Sequence, residues 1–389
     1  MSLCMYQLKI NNLSEQEFLT HFWQKKPLLI KQGFSDFQDP LDANELAGLA
    51  MEESIESRII TNHKNDWQTY QGPFEDFEQL TDEHSTLLVQ AVDHWHPDAA
   101  QLLEPFRFIP NWRIDDLMIS YSTPGGGVGP HLDQYDVFII QGEGKRHWRV
   151  GLPDSTLKQF AQNKKLLQVE AFEAVIDCIL EPGDILYIPP GCPHEGYAVE
   201  NALNYSVGFR APNQQDLLSS FADHIIDTES GQKRYTDHNI TLRKSKGELT
   251  NLEVDKVKTL MAALLENDDL FKQWLGSTLS QPKHEMDLAP IEPPFTSEQI
   301  ADDLNNEEAV FERLGGTRAI YQQLETEVLL SVNGENYAMP LTDLPAVKLL
   351  TDNTEFESSA LNLTNPSLVF TQTFTTLVNE GIWFNIDQE

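Results

Sequence analysis

Apolar and polar positions change texture three times along the chain. Near the start, Phe18 and Phe22 recur at a spacing of four behind Ser14, and Glu17 stands three residues after that serine, which predicts a helix closed by a capping box. Pro27 stops it, and Leu28-Leu29-Ile30 reads as a short strand. Short helices at 41–51 and 87–95 then alternate with extended pieces such as 57–61, so residues 1–97 are expected to form a flanking α/β region. From 98 to 215 the pattern becomes short β runs at 116–121, 137–141, 146–150, 185–188 and 204–209, separated by Gly and Pro clusters. That spacing predicts a sandwich or a small barrel. Over 216–288 helical spacing returns: Leu217, Leu218 and Phe221, then Leu252, Val257, Leu260, Met261, Leu264 and Leu265, a stripe suited to a partner helix. Pro282, Pro290, Pro293 and Pro294 make 281–294 read as a linker. In 289–389 a helix at 297–303, a hairpin on Asn333-Gly334 and helices near Ala346 and Phe370 predict a winged-helix-like module.

Composition narrows the possibilities. A chain of 389 residues exceeds one core of ordinary size, and 40% hydrophobic with 23% charged residues excludes disorder as the main state. Lys plus Arg is 27 against 61 for Asp plus Glu, a formal charge of −34, which would repel a phosphate backbone. The 289–389 module has 3 basic and 17 acidic residues, so 3 − 17 = −14, and direct DNA binding is not expected of it. Cys4, Cys178 and Cys192 make neither a disulfide framework nor a paired zinc spacing, which fits a reducing cytoplasm. No run of about 18 apolar residues occurs and 1–11 lacks the pattern of a signal peptide, so a soluble cytoplasmic protein is expected, with no membrane partner.

The densest chemistry lies at Gly125-Gly-Gly-Val-Gly-Pro-His-Leu-Asp133, before the apolar run Val137-Phe138-Ile139-Ile140. In a strand, His131 and Asp133 at i and i+2 share a face, and one metal ion can bind both. The second stretch, Gly183-Asp184 through Pro189-Pro-Gly-Cys-Pro-His194, adds a histidine beyond a turn stiffened by prolines. Two histidines and a carboxylate form the facial triad suited to non-haem Fe(II), with positions left open for substrate and oxygen. His94 and His96 form another i, i+2 pair, but no third ligand motif accompanies them and they read as structural. Cys192 faces away if His194 points inward, and reads as packing. Two cations, Lys145 and Arg146, stand just past the turn at 142–144. A loop at 142–145 pairs Arg146 opposite Gln141 on the face of His131 and Asp133; a three-residue loop would select Lys145 instead. Tyr135 and Asp136 beside the metal stretch could stack on and pair with a cationic substrate side chain.

These two stretches resemble the paired metal motifs of the cupin barrel, with Asp133 where a second histidine is usual, as in the JmjC class of 2-oxoglutarate oxygenases. The strings Asp-Asp-Leu-Met-Ile-Ser-Tyr, Gly-Lys-Arg-His-Trp-Arg-Val-Gly and Ile-Pro-Pro-Gly-Cys-Pro-His-Glu-Gly-Tyr are similar to those of the bacterial ribosomal oxygenases, and the resemblance spans nearly the whole chain. It implies a mixed α+β protein: a double-stranded β-helix (cupin, JmjC type) core at 98–215, a helical dimerisation region at 216–288 and a C-terminal winged-helix-like domain at 289–389. It further implies Fe(II) on His131, Asp133 and His194, 2-oxoglutarate anchored by Arg146 with the Ser120 hydroxyl, and hydroxylation of an arginine on a basic large-subunit ribosomal protein by a homodimer. Two rival readings are an oxygenase acting on another protein or a small molecule, and a metal-binding cupin sensor without turnover.

Overall fold

A computed structural model describes residues 6–63, 66–163, 166–286 and 288–386, so Cys4 lies outside the described residues. Packing divides the chain into two compact units, one made of 1–211 with 282–289 and 313–317, the other of 212–281, 290–312 and 318–389.

In the first unit Ser14 and Glu17 close the capping box of helix α1 (Glu15–His21), and Asp42 with Glu45 does the same for α2 (Ala43–Leu49). The strands are β1 (Leu28–Ile30), β2 (Ser57–His63), β3 (Asp66–Gln71), β4 (Ser85–Val89), β5 (Ile114–Ser122), β6 (Asp136–Gln141) and β7 (Arg146–Gly151). They continue with β8 (Gln159–Asn163), β9 (Leu166–Val169), β10 (Ala174–Leu180), β11 (Ile185–Ile188), β12 (His194–Ala198) and β13 (Ala202–Phe209). Eight of them form an antiparallel sheet in the order β1-β11-β6-β13-β5-β4-β2-β3, and three form a second sheet, β10-β7-β12. Between the sheets Val137, Ile139, Trp148, Val150, Leu180, Leu186 and Ile188 make one core. The other face of the large sheet carries a bigger one, in which the Phe138 ring meets Phe106 at 4.6 Å, Tyr187 at 4.9 Å and Phe18 of α1 at 5.5 Å. A sheet covered on both faces explains why β6, β11 and β4 are buried at every position and show no alternation.

Three expectations are corrected. The apolar run at 87–95 is not a helix: β4 occupies its first part between β2 and β5, and Ala91, in the left-handed region at φ 51°, turns the chain into a single 3-10 turn at Val92–His94. Short apolar runs do not distinguish a buried strand from a helix, and here sheet pairing decides. Residues 282–289 are not a free linker: Lys283 pairs with Asp115 at 2.7 Å, and the Glu285 carbonyl accepts from His94 Nδ1 at 2.9 Å. Finally, β6 and β7 do not pair with each other. Gln141 lies opposite Asn204, while Arg146 lies opposite Leu180 and Ala198, so the turn at 142–145 carries the chain from one sheet to the other.

The second unit adds helix α4 (Gln214–Asp227) after the short α3 (Pro97–Ala100) of the first, then α5 (Asn251–Leu265), α6 (Asp268–Ser280) and α7 (Ser297–Asn305). Trp274 of α6 packs on Phe221 of α4 at 4.9 Å. The hairpin expected at Asn333-Gly334 joins strands Glu327–Val332 and Glu335–Pro340, with φ of 48° and 93° at the two loop residues, as a tight two-residue turn demands. Phe311, Val328, Leu330, Phe370, Phe374 and Trp383 fill the core of this region.

Candidate metal centre

His131 and Asp133 lie in a stretch without regular strand structure, unlike the continuous strand expected for them. Gly129 and Pro130 interrupt the ladder, and only His131 makes a bridge, exchanging two backbone hydrogen bonds with His194 at 2.9 and 3.0 Å. That bridge sets the two imidazoles side by side with ring centroids 4.2 Å apart. Asp133 Oδ2 lies 3.8 Å from His131 Nε2 and 3.4 Å from His194 Nε2, and the three ligand atoms all fall within 4.8 Å of one another. Each histidine's Nδ1 faces a backbone carbonyl, Gly129 at 2.9 Å and Cys192 at 3.0 Å. A carbonyl only accepts, so both Nδ1 atoms carry the proton and both Nε2 lone pairs are free.

The protonation states match. Burial, aided by neighbouring His194, lowers the His131 imidazole to about 4. Burial would raise the Asp133 carboxyl, but the two imidazoles and the Tyr135 hydroxyl outweigh it and hold it at about 2. A neutral imidazole beside an ionised carboxylate is the state a divalent cation needs.

Arg146 is 3% exposed. Its Nη1 donates to Ser120 Oγ at 3.3 Å and Asn204 Oδ1 at 3.1 Å, its Nη2 donates to the Gly196 carbonyl at 3.2 Å, and Nε has no partner. None of these acceptors is an anion, and burial pushes the guanidinium down to about 10. A buried cation without a counter-charge is costly to keep. Lys145 points outward, to Glu181 at 2.6 Å. Trp148 links the two parts of the site, its ring 6.2 Å from that of His194 and 5.2 Å from the Arg146 guanidinium. Gly196 permits this packing, because a Cβ there would lie 2.7 Å from the Trp148 ring. The sequence alone singles out neither Asn204 nor Trp148. The signal for both is strand register, which places Asn204 opposite Ser120 and Trp148 opposite Gly196.

Tyr135 is 36% exposed, and its hydroxyl is among the groups that hold the Asp133 carboxyl low. Asp136, expected beside a substrate, is instead spent inside the fold. It is wholly buried and accepts from the Tyr187 hydroxyl at 2.6 Å, Gln24 Nε2 at 3.0 Å and Arg113 Nη2 at 3.2 Å. His94 and His96 are structural: the first bonds the Glu285 carbonyl and the second caps α3 by accepting from Ala99 N. Cys192 is buried in the core between the sheets, where burial raises its thiol to about 11.

Residues 101–217 match the JmjC domain family, and 263–384 match the ROXA-like winged helix. The chain is 48% identical to the ribosomal protein uL16 3-hydroxylase of Escherichia coli, over 97% of this chain and 99% of that one. It belongs to the JmjC-type ribosomal oxygenases. A probable ribosomal oxygenase of Haemophilus influenzae is 33% identical over 71% of each chain. Among solved structures, the X-ray structure of Escherichia coli YcfD aligns with a TM-score of 0.90 at 47% identity, covering 98% of this chain and 99% of that one. The same ribosomal oxygenase in complex with cobalt and 2-oxoglutarate aligns at 0.87 with 46% identity over the same shares. For this ribosomal oxygenase the fold is therefore the JmjC cupin barrel with a ROXA-like winged helix.

Proposed function

We propose that this ribosomal oxygenase uses Fe(II) and 2-oxoglutarate to hydroxylate an arginine of a large-subunit ribosomal protein of the uL16 type. One observation carries the chemistry: two imidazoles with free Nε2 lone pairs and an ionised carboxylate stand next to a buried guanidinium that has no acidic partner. The donor set fits a dication with open positions. The unpaired guanidinium fits the distal carboxylate of a keto diacid. His131, Asp133 and His194 would hold the metal, and Arg146 with Ser120 would hold 2-oxoglutarate. When bound, iron and 2-oxoglutarate supply the oxidising power, one atom of dioxygen ending in succinate and the other in the new hydroxyl.

The chain's own contribution is to fix and to shield. The Gly129 and Cys192 carbonyls hold the imidazole tautomers, Asn204 and Ser120 orient the guanidinium, and the surrounding apolar residues keep water away from it. Tyr135, on the open side of Asp133, is suited to lie against a cationic side chain. Arginine as the target rests on the resemblance in the metal-bearing strings and suits a chain of charge −34; uL16 as the partner rests on the Escherichia coli relative. Work on a ribosomal protein implies a cytoplasmic setting, and no described helix is long and apolar enough to cross a membrane.

We also propose a homodimer through the 216–288 region. No residue of α5 is buried within the chain, and Leu252 and Met261 are 67% and 66% exposed. Charges placed at Met261 and Leu265 should turn a dimer into a monomer in sedimentation. A monomer at micromolar concentration in the parent protein overturns the idea.

The reaction is tested by anaerobic incubation with Fe(II) and 2-oxoglutarate followed by oxygen, with succinate measured with and without the ribosomal protein. Intact mass and fragmentation should place one added oxygen on an arginine. A mark on histidine overturns the target residue, and succinate formation indifferent to every ribosomal protein overturns the substrate class.

A further inference from the structure

We infer that Gln168, on a hairpin that no motif points to, is a positioning residue for His131. The inference rests on the reading of His131 as a metal ligand. The hairpin of β8 and β9 pairs with no other described strand, yet its second strand lies along the loop that delivers the ligand. Gln168 is 3% exposed, and its Nε2 donates to the Val128 carbonyl at 3.2 Å. The next residue, Val169, donates its backbone N–H to the Pro130 carbonyl at 2.9 Å. These two bonds fall on either side of Gly129, whose own carbonyl accepts from His131 Nδ1.

The arrangement has a physical purpose. Residues 126–130 form no ladder, and Pro130 has no N–H, so the carbonyls of this loop need donors from outside it. Gly129 sits at φ 79°, where glycine is at ease and the peptide on either side is easily rotated. Pinning the carbonyls before and after it removes that freedom and leaves the Gly129 carbonyl aimed at Nδ1. The fit is close: a Cβ on Gly129 would lie 2.0 Å from Gln168 Nε2 and 3.0 Å from the Trp67 ring. Gln168 is not one of the three candidate ligands; it acts through the carbonyl that holds the imidazole tautomer.

The test is cobalt(II) titration of the metal-free protein followed by visible absorption, with the His131 ring nitrogens read by ¹⁵N spectroscopy in the metal-free state. Gln168→Met keeps the side-chain length and removes the donor. It should weaken cobalt binding by about tenfold, the lower end of what loss of an outer-shell partner costs. It should also move the His131 signals toward a mixture of tautomers. Leu167→Ala, at a 54% exposed position on the same strand, should change neither readout. Cobalt affinity and nitrogen shifts equal to the parent's in Gln168→Met overturn the proposal, as does an equal loss in Leu167→Ala. If Gln168→Met fails to fold, Gln168→Asn retains the amide but falls a methylene short of Val128, and the same outcomes decide. His131→Ala separates the two readings: cobalt binding unchanged in that variant overturns the assignment of the ligand itself.

Discussion

At the scale of single residues, the two basic neighbours at 145 and 146 differ in what surrounds them. Arg146 is buried among neutral acceptors, whereas Lys145 is paired with Glu181 in solvent. Arg146→Ala should therefore raise the 2-oxoglutarate concentration needed for half-maximal succinate release by at least about tenfold, since truncating one side of a buried charge pair typically costs 2–5 kcal/mol. Lys145→Ala should leave it unchanged. A second buried charge lies outside the site. Asp116 is 4% exposed, and burial together with the nearby Asp93 and Asp115 carboxylates raises its carboxyl to about 7. Because the folded chain holds that proton more tightly than the unfolded one, Asp116 contributes stability at low pH that is lost as pH rises from about 4 to about 7. Asp116→Asn mimics the protonated form, so its melting temperature should exceed the parent's at pH 8, with the difference shrinking by pH 5.

Elements show why some of this was readable and some was not. His131, Asp133 and His194 stand out in the sequence because each lies in a short dense motif of unusual residues. Their proximity, however, comes from one bridge between segments 63 residues apart. Arg146 was recognisable as one of two candidates by an alternation argument that assumed β6 pairs with β7. It faces inward for another reason, the register of β7 against β10 and β12. Alternation within β6 gives Asp136 the face of Phe138 and Ile140 in the larger core, whereas Asp133 precedes the strand. Asn204, Trp148 and Gln168 carry no signature of their own, because which residues meet across strands depends on a register the sequence does not display. The larger core makes its own prediction. Phe138→Ala removes a fully buried ring in contact with four other aromatic rings, Phe18, Phe106, Tyr187 and Phe209, and should cost about 3–5 kcal/mol in denaturant unfolding.

Across the whole molecule the dominant property is charge. A chain of −34 should draw a lysine- and arginine-rich protein toward it, and this attraction between exposed groups is screened over about 8–10 Å at physiological salt. Raising salt should weaken binding of the free ribosomal protein, mainly through a slower association rate in stopped-flow mixing; a rate indifferent to salt would remove the electrostatic argument. The turn at 142–145 has a different consequence. By passing the chain between sheets instead of folding it back on itself, it leaves the candidate site without any local hairpin to nucleate it; both the His131 to His194 bridge and the Arg146 contacts join distant parts of the chain. Such contacts form late, after the entropy of closing long loops has been met. During refolding, uptake of a metal ion should then lag behind the recovery of helical signal, so that the candidate centre serves as a clock for the closing of the barrel.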